Sequence, residues 1–465
     1  MGGSVRHIVV VGAGLSGLVA AYRLKKIAPD VRVSVLEAAS RPGGLIDTTY
    51  RDGFVIEQSA DSILREPADA LNLVHELGLK SEVITTNSEF RKAYVVRDGG
   101  MHRIPDAFRL IGPMRWWPFL CSPLLSWRGK VRACLEPWVS VRQNVDDESF
   151  EHFVIRRYGR ELYEYIAQPL VSGIYGVDPA RLSMRATLGK FWDFEVSYGS
   201  VSRGFRNQNR MVERNDSGVR YGLFFSFRRG LKTLIDALAK ELGNTIHLNS
   251  RVALLDRHSK GYRIQVANGE TYEADGVVLA TPCREASSWI RHWAPNLAAS
   301  LSQLTYSSSV VVTLAFDRQQ IEHPLDAFGV VVPRVEQRLL MAATFSSVKY
   351  AARAPEGKVL LRAYLDHFSV STNSLSFSDE ALTEIACNEL KTLIHIKGSP
   401  LWSMVHRIPA ALPQYTLGHV ERILALEEEL KKYQHVALAG NYLHGIGIPQ
   451  VIKGAEHAAR QVLAS

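Results

Sequence analysis

Cysteine is scarce in this chain of 465 residues, which contains only four. They lie far apart and form no Cys-x-x-Cys pair: Cys121, Cys134, Cys283 and Cys387. This spacing supports neither a disulfide framework nor a cysteine-ligated zinc site. The composition therefore favours a protein that works in a reducing compartment.

The sequence also lacks a segment typical of a membrane-spanning helix. Two long stretches carry no charged residue, 294–316 and 433–452. The first is rich in serine and threonine, and the second is interrupted by glycine, asparagine, histidine and proline, so neither fits a transmembrane helix. Residues 1–7 run into an apolar segment without the features of a signal peptide. We therefore expect a cytoplasmic protein.

Extremes of composition are absent as well, since hydrophobic residues make up 46% and charged residues 22% of the chain. Such values are typical of globular proteins, and the length predicts two or three domains. Lys and Arg number 55 against 47 Asp and Glu, a net charge of +8. This excess favours an anionic partner, and the positions of the charges must decide which one.

The clearest motif follows an apolar segment at residues 8–11 and consists of Gly12, Gly14 and Gly17. In a strand, turn and helix context, these glycines permit a tight turn, close approach of a pyrophosphate and close packing of helix on strand. The helix N-terminus then offers free N–H groups to phosphate. The residues expected to bind are Gly12, Ala13, Gly14, Leu15, Ser16 and Gly17. The alternative is a plain turn without a ligand.

An acid and a second glycine loop follow this motif. Glu37 ends the apolar segment 31–36, about 20 residues after the glycines, where a carboxylate accepts hydrogen bonds from ribose hydroxyls and disfavours a 2'-phosphate. The run from Arg41 to Gly44 adds a cation and two glycines, as expected of a second loop along the pyrophosphate. The predicted contacts here are Glu37, Ala38, Arg41, Gly43, Gly44 and Leu45.

Together with these glycine motifs, three later segments resemble the oxygen-dependent protoporphyrinogen and coproporphyrinogen oxidases of the flavin amine oxidase superfamily. Segment 169–184 resembles their Ser-Gly-x-Tyr-x-x-Asp-Pro signature, 413–419 their Pro-Gln-Tyr-x-x-Gly-His stretch, and 439–449 their closing flavin loop. The resemblance implies non-covalent FAD, a backbone contact of Val252 with its adenine, and further cofactor contacts: Ser59, Ala60, Asp61, Ser62, Asn441, Ile446, Gly447 and Ile448. Residues 59–62 depart from the family, which usually has a Gly-Pro pair there.

The resemblance also implies the fold, an α/β chain with a discontinuous Rossmann-like FAD-binding domain, a mixed-sheet substrate domain and a mainly helical insert. We predict the FAD-binding domain at 1–64, 223–286 and 425–465. The predicted substrate-binding domain comprises 65–97, 190–222 and 287–424, and the helical domain comprises 98–189. Both chain ends would then contact one cofactor.

Substrate recognition in such a family requires cations for propionates and apolar walls for the macrocycle. Arg91 matches the family position that pairs with a propionate, although many surface arginines have no specific role. For the walls we propose Val331 and Phe345, with Gly173 keeping the backbone close to the ring; ordinary core packing explains the first two equally well. The sequence identifies no general acid or base and no metal ligands, and His419 is interpreted as structural.

Basic residues and tryptophans are concentrated in the helical insert. Segment 114–127 is aromatic and apolar, and the flanking cations are Arg103, Arg109, Arg115, Arg128, Lys130, Arg132 and Arg142. This combination suits peripheral contact with an anionic membrane, on the inner face of the cytoplasmic membrane; a helical core or a cover for the active-site mouth explains it equally well. No nucleic-acid module is present.

The resemblance predicts O2-dependent, six-electron oxidation of a porphyrinogen in heme biosynthesis, with release of H2O2. Protoporphyrinogen IX and coproporphyrinogen III both remain open as substrates. Alternative functions are oxidation of an amine or a polyene by a related flavoenzyme, and binding of flavin or porphyrin without turnover. A ferrochelatase and a second copy of the chain are candidate partners, for which the sequence indicates no surface.

Overall fold

The computed structural model describes residues 6–105, 108–113, 116–142, 146–175, 178–215, 223–259, 261–365 and 374–464. Met114, Arg115 and the pair Gly176-Val177, which belong to motifs named above, lie outside these ranges.

A parallel sheet built from distant parts of the chain forms the centre of the first layer. In the described chain it has five strands, in the spatial order Ile246–His247, Arg32–Leu36, His7–Val11, Gly276–Leu279 and Val436–Leu438. Residues of His7–Val11 alternate between two cores, with Ile8 and Val10 on one face and Val9 and Val11 on the other. Such double burial is typical of a parallel sheet covered on both faces.

Helices from both chain ends and the middle cover one face of this sheet. They are Leu15–Ile27, Asp69–Glu76, Lys232–Leu242 and Ile448–Ala464. The other face is covered by helices Cys283–Ile290, Pro295–Ser302 and His419–Leu430 and by an antiparallel sheet of Val252–His258, Gly261–Val266 and Thr271–Ala274. The Rossmann-like unit is therefore discontinuous in sequence, as predicted.

A mixed sheet forms the second layer. Its seven strands in the described ranges are Trp402–Pro413, Tyr306–Asp317, Lys358–Leu365, Leu340–Phe345, Gly329–Val331, Tyr94–Arg97 and Gly100–Arg103. Only the pairing of Gly329–Val331 with Tyr94–Arg97 is parallel among these neighbours. Helix Asp379–Ile394 packs on one face of the sheet. The opposite face packs partly against the hairpin of strands Thr48–Arg51 and Phe54–Glu57.

The inserted segment forms a separate helical core. Its helices are Trp116–Cys121, Trp127–Cys134, Phe150–Tyr158, Arg160–Leu162, Gln168–Tyr175, Met184–Tyr198 and Val201–Asn215, with a π-helical turn at Tyr163–Ala167. Phe191, Phe194 and Phe205 join this core. The helical packing thus extends past residue 189, where the sequence interpretation ended it, because these aromatic side chains turn inward.

Shorter elements complete the described structure. Strands Ile63–Leu64, Phe224–Phe227 and Val83–Thr85 form a small antiparallel sheet, Phe108–Arg109 pairs with Gly112–Pro113, and Ser346–Lys349 is a short helix. The predicted fold class is confirmed. The exact domain boundaries stay a prediction.

Candidate cofactor and substrate site

The glycine turn between strand His7–Val11 and helix Leu15–Ile27 has the geometry of a phosphate loop. Gly12 has φ +100° and donates its N–H to the Leu36 carbonyl at 2.8 Å. A Cβ on Gly17 would lie 1.8 Å from the Gly12 carbonyl oxygen, so only glycine fits there. A Cβ on Gly14 would meet no atom within 4 Å. Gly14 therefore borders open space at a helix N-terminus, which suits an anionic ligand.

Glu37 is fixed beside this turn by backbone donors. One carboxylate oxygen accepts from the Ala13 N–H at 2.7 Å and the other from the Ala39 N–H at 2.8 Å. Each oxygen keeps a second lone pair for another donor. The carboxylate is thus oriented for a hydroxyl-bearing ligand.

The second glycine loop lies against the first. The Gly43 N–H donates to the Ala13 carbonyl at 2.8 Å, and Gly44 takes φ +58° next to Gly14. The Arg41 guanidinium donates to the Gly44 carbonyl at 3.1 Å, which stabilises the loop. The two loops form one cradle, as the sequence predicts, and Leu45 is exposed at its border.

Val252 begins the strand that approaches this cradle. The Ser250 N–H donates to the Glu37 carbonyl at 2.7 Å, so the chain before Val252 lies beside the predicted ribose acid. The Val252 side chain itself is buried in the core. Only its backbone is available for the predicted adenine contact.

The closing loop before helix Ile448–Ala464 lies between the parallel sheet and the helical insert. The Tyr415 hydroxyl donates to the Asn441 carbonyl, and the Val451 N–H donates to the Gly447 carbonyl at 3.0 Å. Ile446 packs against the core of the helical insert. The loop therefore connects the FAD cradle with the insert.

Loop 59–62 is held by two cations that the sequence interpretation missed. Arg362 donates to the Ser59 carbonyl at 2.6 Å, and the Lys349 ammonium lies 2.9 Å from an Asp61 carboxylate oxygen. Burial opposes ionisation of Asp61, but Lys349 and Arg362 outweigh it and hold the pKa of this carboxyl well below its usual range. No local sequence pattern marks Arg362 or Lys349 as a partner of this loop, because both are far from it in the chain.

Three of the four predicted substrate residues, Arg91, Gly173 and Val331, lie on or next to neighbouring elements, whereas Phe345 points to the other face of the mixed sheet. Val331 and Ile446 both pack against the core of the helical insert, and the helix that carries Gly173 contacts the strand of Val331. A Cβ on Gly173 would meet nothing within 4 Å, so open space lies beside its backbone. Arg91 is exposed in the loop before strand Tyr94–Arg97, the neighbour of the Val331 strand.

Phe345 requires a correction. It is fully buried in the core between the mixed sheet and helix Asp379–Ile394. Strand pairing aligns Val331 with Ala342, so Phe345, three residues further, points to the opposite face. Phe345 is therefore a core residue and does not line the same wall as Val331.

His419 has the structural role that the sequence analysis assigned to it. Its ring packs 4.1 Å from the Tyr415 ring, and Nε2 donates to the Leu443 carbonyl at 3.2 Å. Burial lowers the pKa of His419 to about 4, so the imidazole is neutral near pH 7.

These residues fit FAD. The cradle leaves open space at Gly14, and Glu37 is oriented beside it. Two sets of buried polar atoms near the predicted flavin loops have no hydrogen-bond partner among the described residues: Nε and Nη1 of Arg362, and Oε1 of Gln450. Buried polar groups are almost always paired, so these atoms indicate a ligand with both donors and acceptors.

Comparisons with known proteins agree with this fit. The profile of the family described as flavin containing amine oxidoreductase matches residues 15–463. The coproporphyrinogen III oxidase of Staphylococcus aureus is 31% identical over 99% of this chain and 99% of its own length. The chloroplastic protoporphyrinogen oxidase of Oryza sativa is 31% identical over 98% of this chain and 87% of its own. The crystal structure of a candidate protoporphyrinogen oxidase from Exiguobacterium sp. 255-15 superposes with a TM-score of 0.87, at 29% identity and full coverage of both chains.

Proposed function

Because this chain belongs to the flavin-containing amine oxidoreductase family, we propose that it is an FAD-dependent oxidase that converts a porphyrinogen to a porphyrin. The observation that carries the proposal is the FAD cradle in a chain that matches porphyrinogen oxidases along its whole length. Coproporphyrinogen III is one candidate substrate, since relatives named as oxidases of this compound match over 90% or more of their own length. Protoporphyrinogen IX is the second.

The proposed reaction removes six electrons and six protons from the porphyrinogen, and three O2 take them up as three H2O2. Bound FAD supplies the acceptor for each two-electron step and the route for electrons to O2. The residues of this chain bind and orient the cofactor and the substrate, and they exclude water from the site. The two glycine loops and Glu37 would hold the nucleotide, and the N-terminal N–H groups of helix Ile448–Ala464 would favour negative charge beside the closing loop.

We also propose the three-domain division given above, with helices Met184–Tyr198 and Val201–Asn215 assigned to the helical domain because they share its core. In this arrangement, the substrate would lie between the closing loop, the Val331 strand and the helix of Gly173. The apolar contacts of Val331 and Ile446 would exclude bulk water from that space.

An anaerobic titration tests the proposed function directly. Adding coproporphyrinogen III under nitrogen should bleach the flavin absorbance, and admitting air should restore it with the appearance of porphyrin fluorescence. A protein that binds flavin or porphyrin without turnover would show no bleaching. Parallel titrations with protoporphyrinogen IX, a diamine and a polyene distinguish the other candidate substrates.

Replacing Arg91 tests the proposed propionate contact. Arg91→Ala should raise KM for the porphyrinogen about tenfold, as expected for loss of a charge-assisted hydrogen bond of about 1.5 kcal/mol, and should leave kcat and FAD content unchanged. Steady-state kinetics of porphyrin formation measure this change. Arg284→Ala is the control, since the Arg284 side chain is 84% exposed and pairs with its neighbour Glu285. Unchanged KM in Arg91→Ala would remove Arg91 from the site.

We further propose that the helical domain contacts an anionic lipid surface. Trp127, Val131 and Leu135 follow the i, i+4, i+8 spacing of one helix face, and all three are exposed. Trp127 is 72% exposed and Trp138 is 76% exposed, which is unusual for tryptophan. Arg128 and Lys130 lie close to Trp127 in the same helix, so attraction to anionic headgroups would accompany burial of the tryptophan rings. Among the described helices, none combines the length and the hydropathy that a bilayer-spanning helix requires.

Vesicle flotation tests this surface. The protein should float at low salt with vesicles that contain phosphatidylglycerol and should remain at the bottom with phosphatidylcholine alone. The double variant Trp127→Ser/Trp138→Ser should reduce the floated fraction several-fold. The control Leu401→Ser/Leu424→Ser removes exposed apolar side chains elsewhere and should float like the wild type. A wild-type protein that stays unbound with the anionic vesicles would contradict the proposal.

A further inference from the structure

Arg362 occupies a central place on the sheet face that carries Val331. Strand pairing puts it opposite Thr344 on one side and Thr313 on the other. The next residue on the same face, Tyr364, is aligned through Ala342 with Val331. Arg362 therefore lies on the face proposed to border the substrate, whereas Phe345 lies on the face that packs against a helix.

A largely buried ion cluster, which we define as Arg362, Asp61 and Lys349, connects this face to loop 59–62. Arg362 is 1% exposed, and its Nη1 lies 3.9 Å from an Asp61 oxygen. Lys349 holds the same carboxylate at 2.9 and 3.1 Å. With two cations and one carboxylate, the cluster carries a net charge of +1. Beside the cluster lies the buried pair of Glu57 and Arg353, in which burial raises the pKa of Glu57 to about 7.

Two nitrogen atoms of Arg362 have no hydrogen-bond partner in the described part of the chain. Nη2 donates to the Ser59 carbonyl, but Nε and Nη1 are buried without an acceptor. Leaving a buried charged donor unpaired is costly, and native proteins almost always pair such groups. An acceptor from outside the chain is therefore expected at these two atoms.

We propose that Arg362 donates to an electronegative atom at the edge of the bound isoalloxazine ring, and that the ion cluster stabilises the negative charge that the ring gains on two-electron reduction. The proposal rests on the proposed function, since it requires loop 59–62 to line the flavin. Flavin is favoured over a substrate propionate because the same guanidinium holds the backbone of that loop. In this role, Arg362 touches the cofactor directly and helps to set its reduction potential.

Opposite charge changes at the two ends of the cluster test the proposal. Arg362→Met should favour oxidised flavin about tenfold, which corresponds to a fall of about 30 mV in the two-electron midpoint potential. Asp61→Asn should move the potential upward, because it removes the only carboxylate of the cluster. Arg362→Lys should stay near the wild type. Reductive titration of the FAD-loaded protein with a reference dye measures all three potentials without any porphyrinogen.

Arg407→Met is the matched control, since Arg407 lies on the same sheet and pairs with Asp379 instead of the flavin loop. Its potential should equal that of the wild type. An unchanged potential in Arg362→Met would overturn the proposal, as would a higher KM for porphyrinogen with an unchanged potential, which would assign Arg362 to the substrate. If Arg362→Met releases FAD, an unchanged potential in Asp61→Asn would overturn it. Absence of porphyrin formation alongside the expected shifts would contradict the proposed function alone.

Discussion

Gly14→Ala should fold as the wild type does but bind FAD about 100-fold more weakly, a loss of about 3 kcal/mol. The backbone at Gly14, with φ −66° and ψ 176°, is accessible to any residue, and an added Cβ would meet no protein atom within 4 Å. The new methyl group would instead occupy the space through which a pyrophosphate approaches the helix N-terminus. A substitution at Gly14 therefore tests cofactor binding without disturbing the fold.

Flavin content after purification and titration of the apoprotein with FAD measure this effect. Gly454→Ala is the control, because its Cβ also meets nothing within 4 Å but lies in helix Ile448–Ala464. The control should bind FAD normally and gain a little stability from the helix propensity of alanine. Normal FAD affinity in Gly14→Ala would show that the pyrophosphate does not lie against Gly14.

Glu136→Gln should lower the free energy of unfolding of the helical domain by about 3 kcal/mol or more, as expected when a buried ion pair loses one partner. Glu136 and Arg157 are both fully buried, and the guanidinium lies 3.1 Å from the carboxylate. The carboxylate also accepts from the N–H groups of Val201 and Ser202 at the start of a helix. Replacing it leaves the Arg157 charge undercompensated and weakens the helix cap.

Urea unfolding followed by tryptophan fluorescence suits this test, since five of the eight tryptophans lie in the segments assigned to the helical domain. Glu428→Gln is the control, because Glu428 and Lys431 form a surface pair with side chains 70% and 66% exposed. Surface pairs contribute little, so the control should shift the unfolding free energy by less than about 0.5 kcal/mol. Equal shifts in both variants would contradict the structural role of the buried pair.

Local motifs of the site could be predicted from the sequence because their function depends on residues close together in the chain. Gly12 and Gly17 are required by one turn, Gly14 leaves open space beside it, and Glu37 follows at the end of the next strand. These residues lie where a strand, turn and helix motif places them, and their contacts with the cofactor stay a prediction. The closing loop near Ile446 was found only through resemblance, because its neighbours come from distant segments.

Long-range contacts could not be predicted in the same way. Arg362 and Lys349 are about 290–300 residues away from loop 59–62 in sequence, and no local pattern links them to it. Phe345 was wrongly proposed as a substrate wall because the sequence does not identify which face of a strand borders a ligand.

The ratio of H2O2 released to porphyrin formed tests the central claim most directly. Purified FAD-loaded protein, supplied with coproporphyrinogen III in air without catalase, should release three H2O2 for each coproporphyrin, measured by a peroxidase-coupled dye and by porphyrin fluorescence. Protoporphyrinogen IX in a parallel reaction identifies the preferred substrate. Failure to form porphyrin from either compound, with FAD bound, would contradict the account.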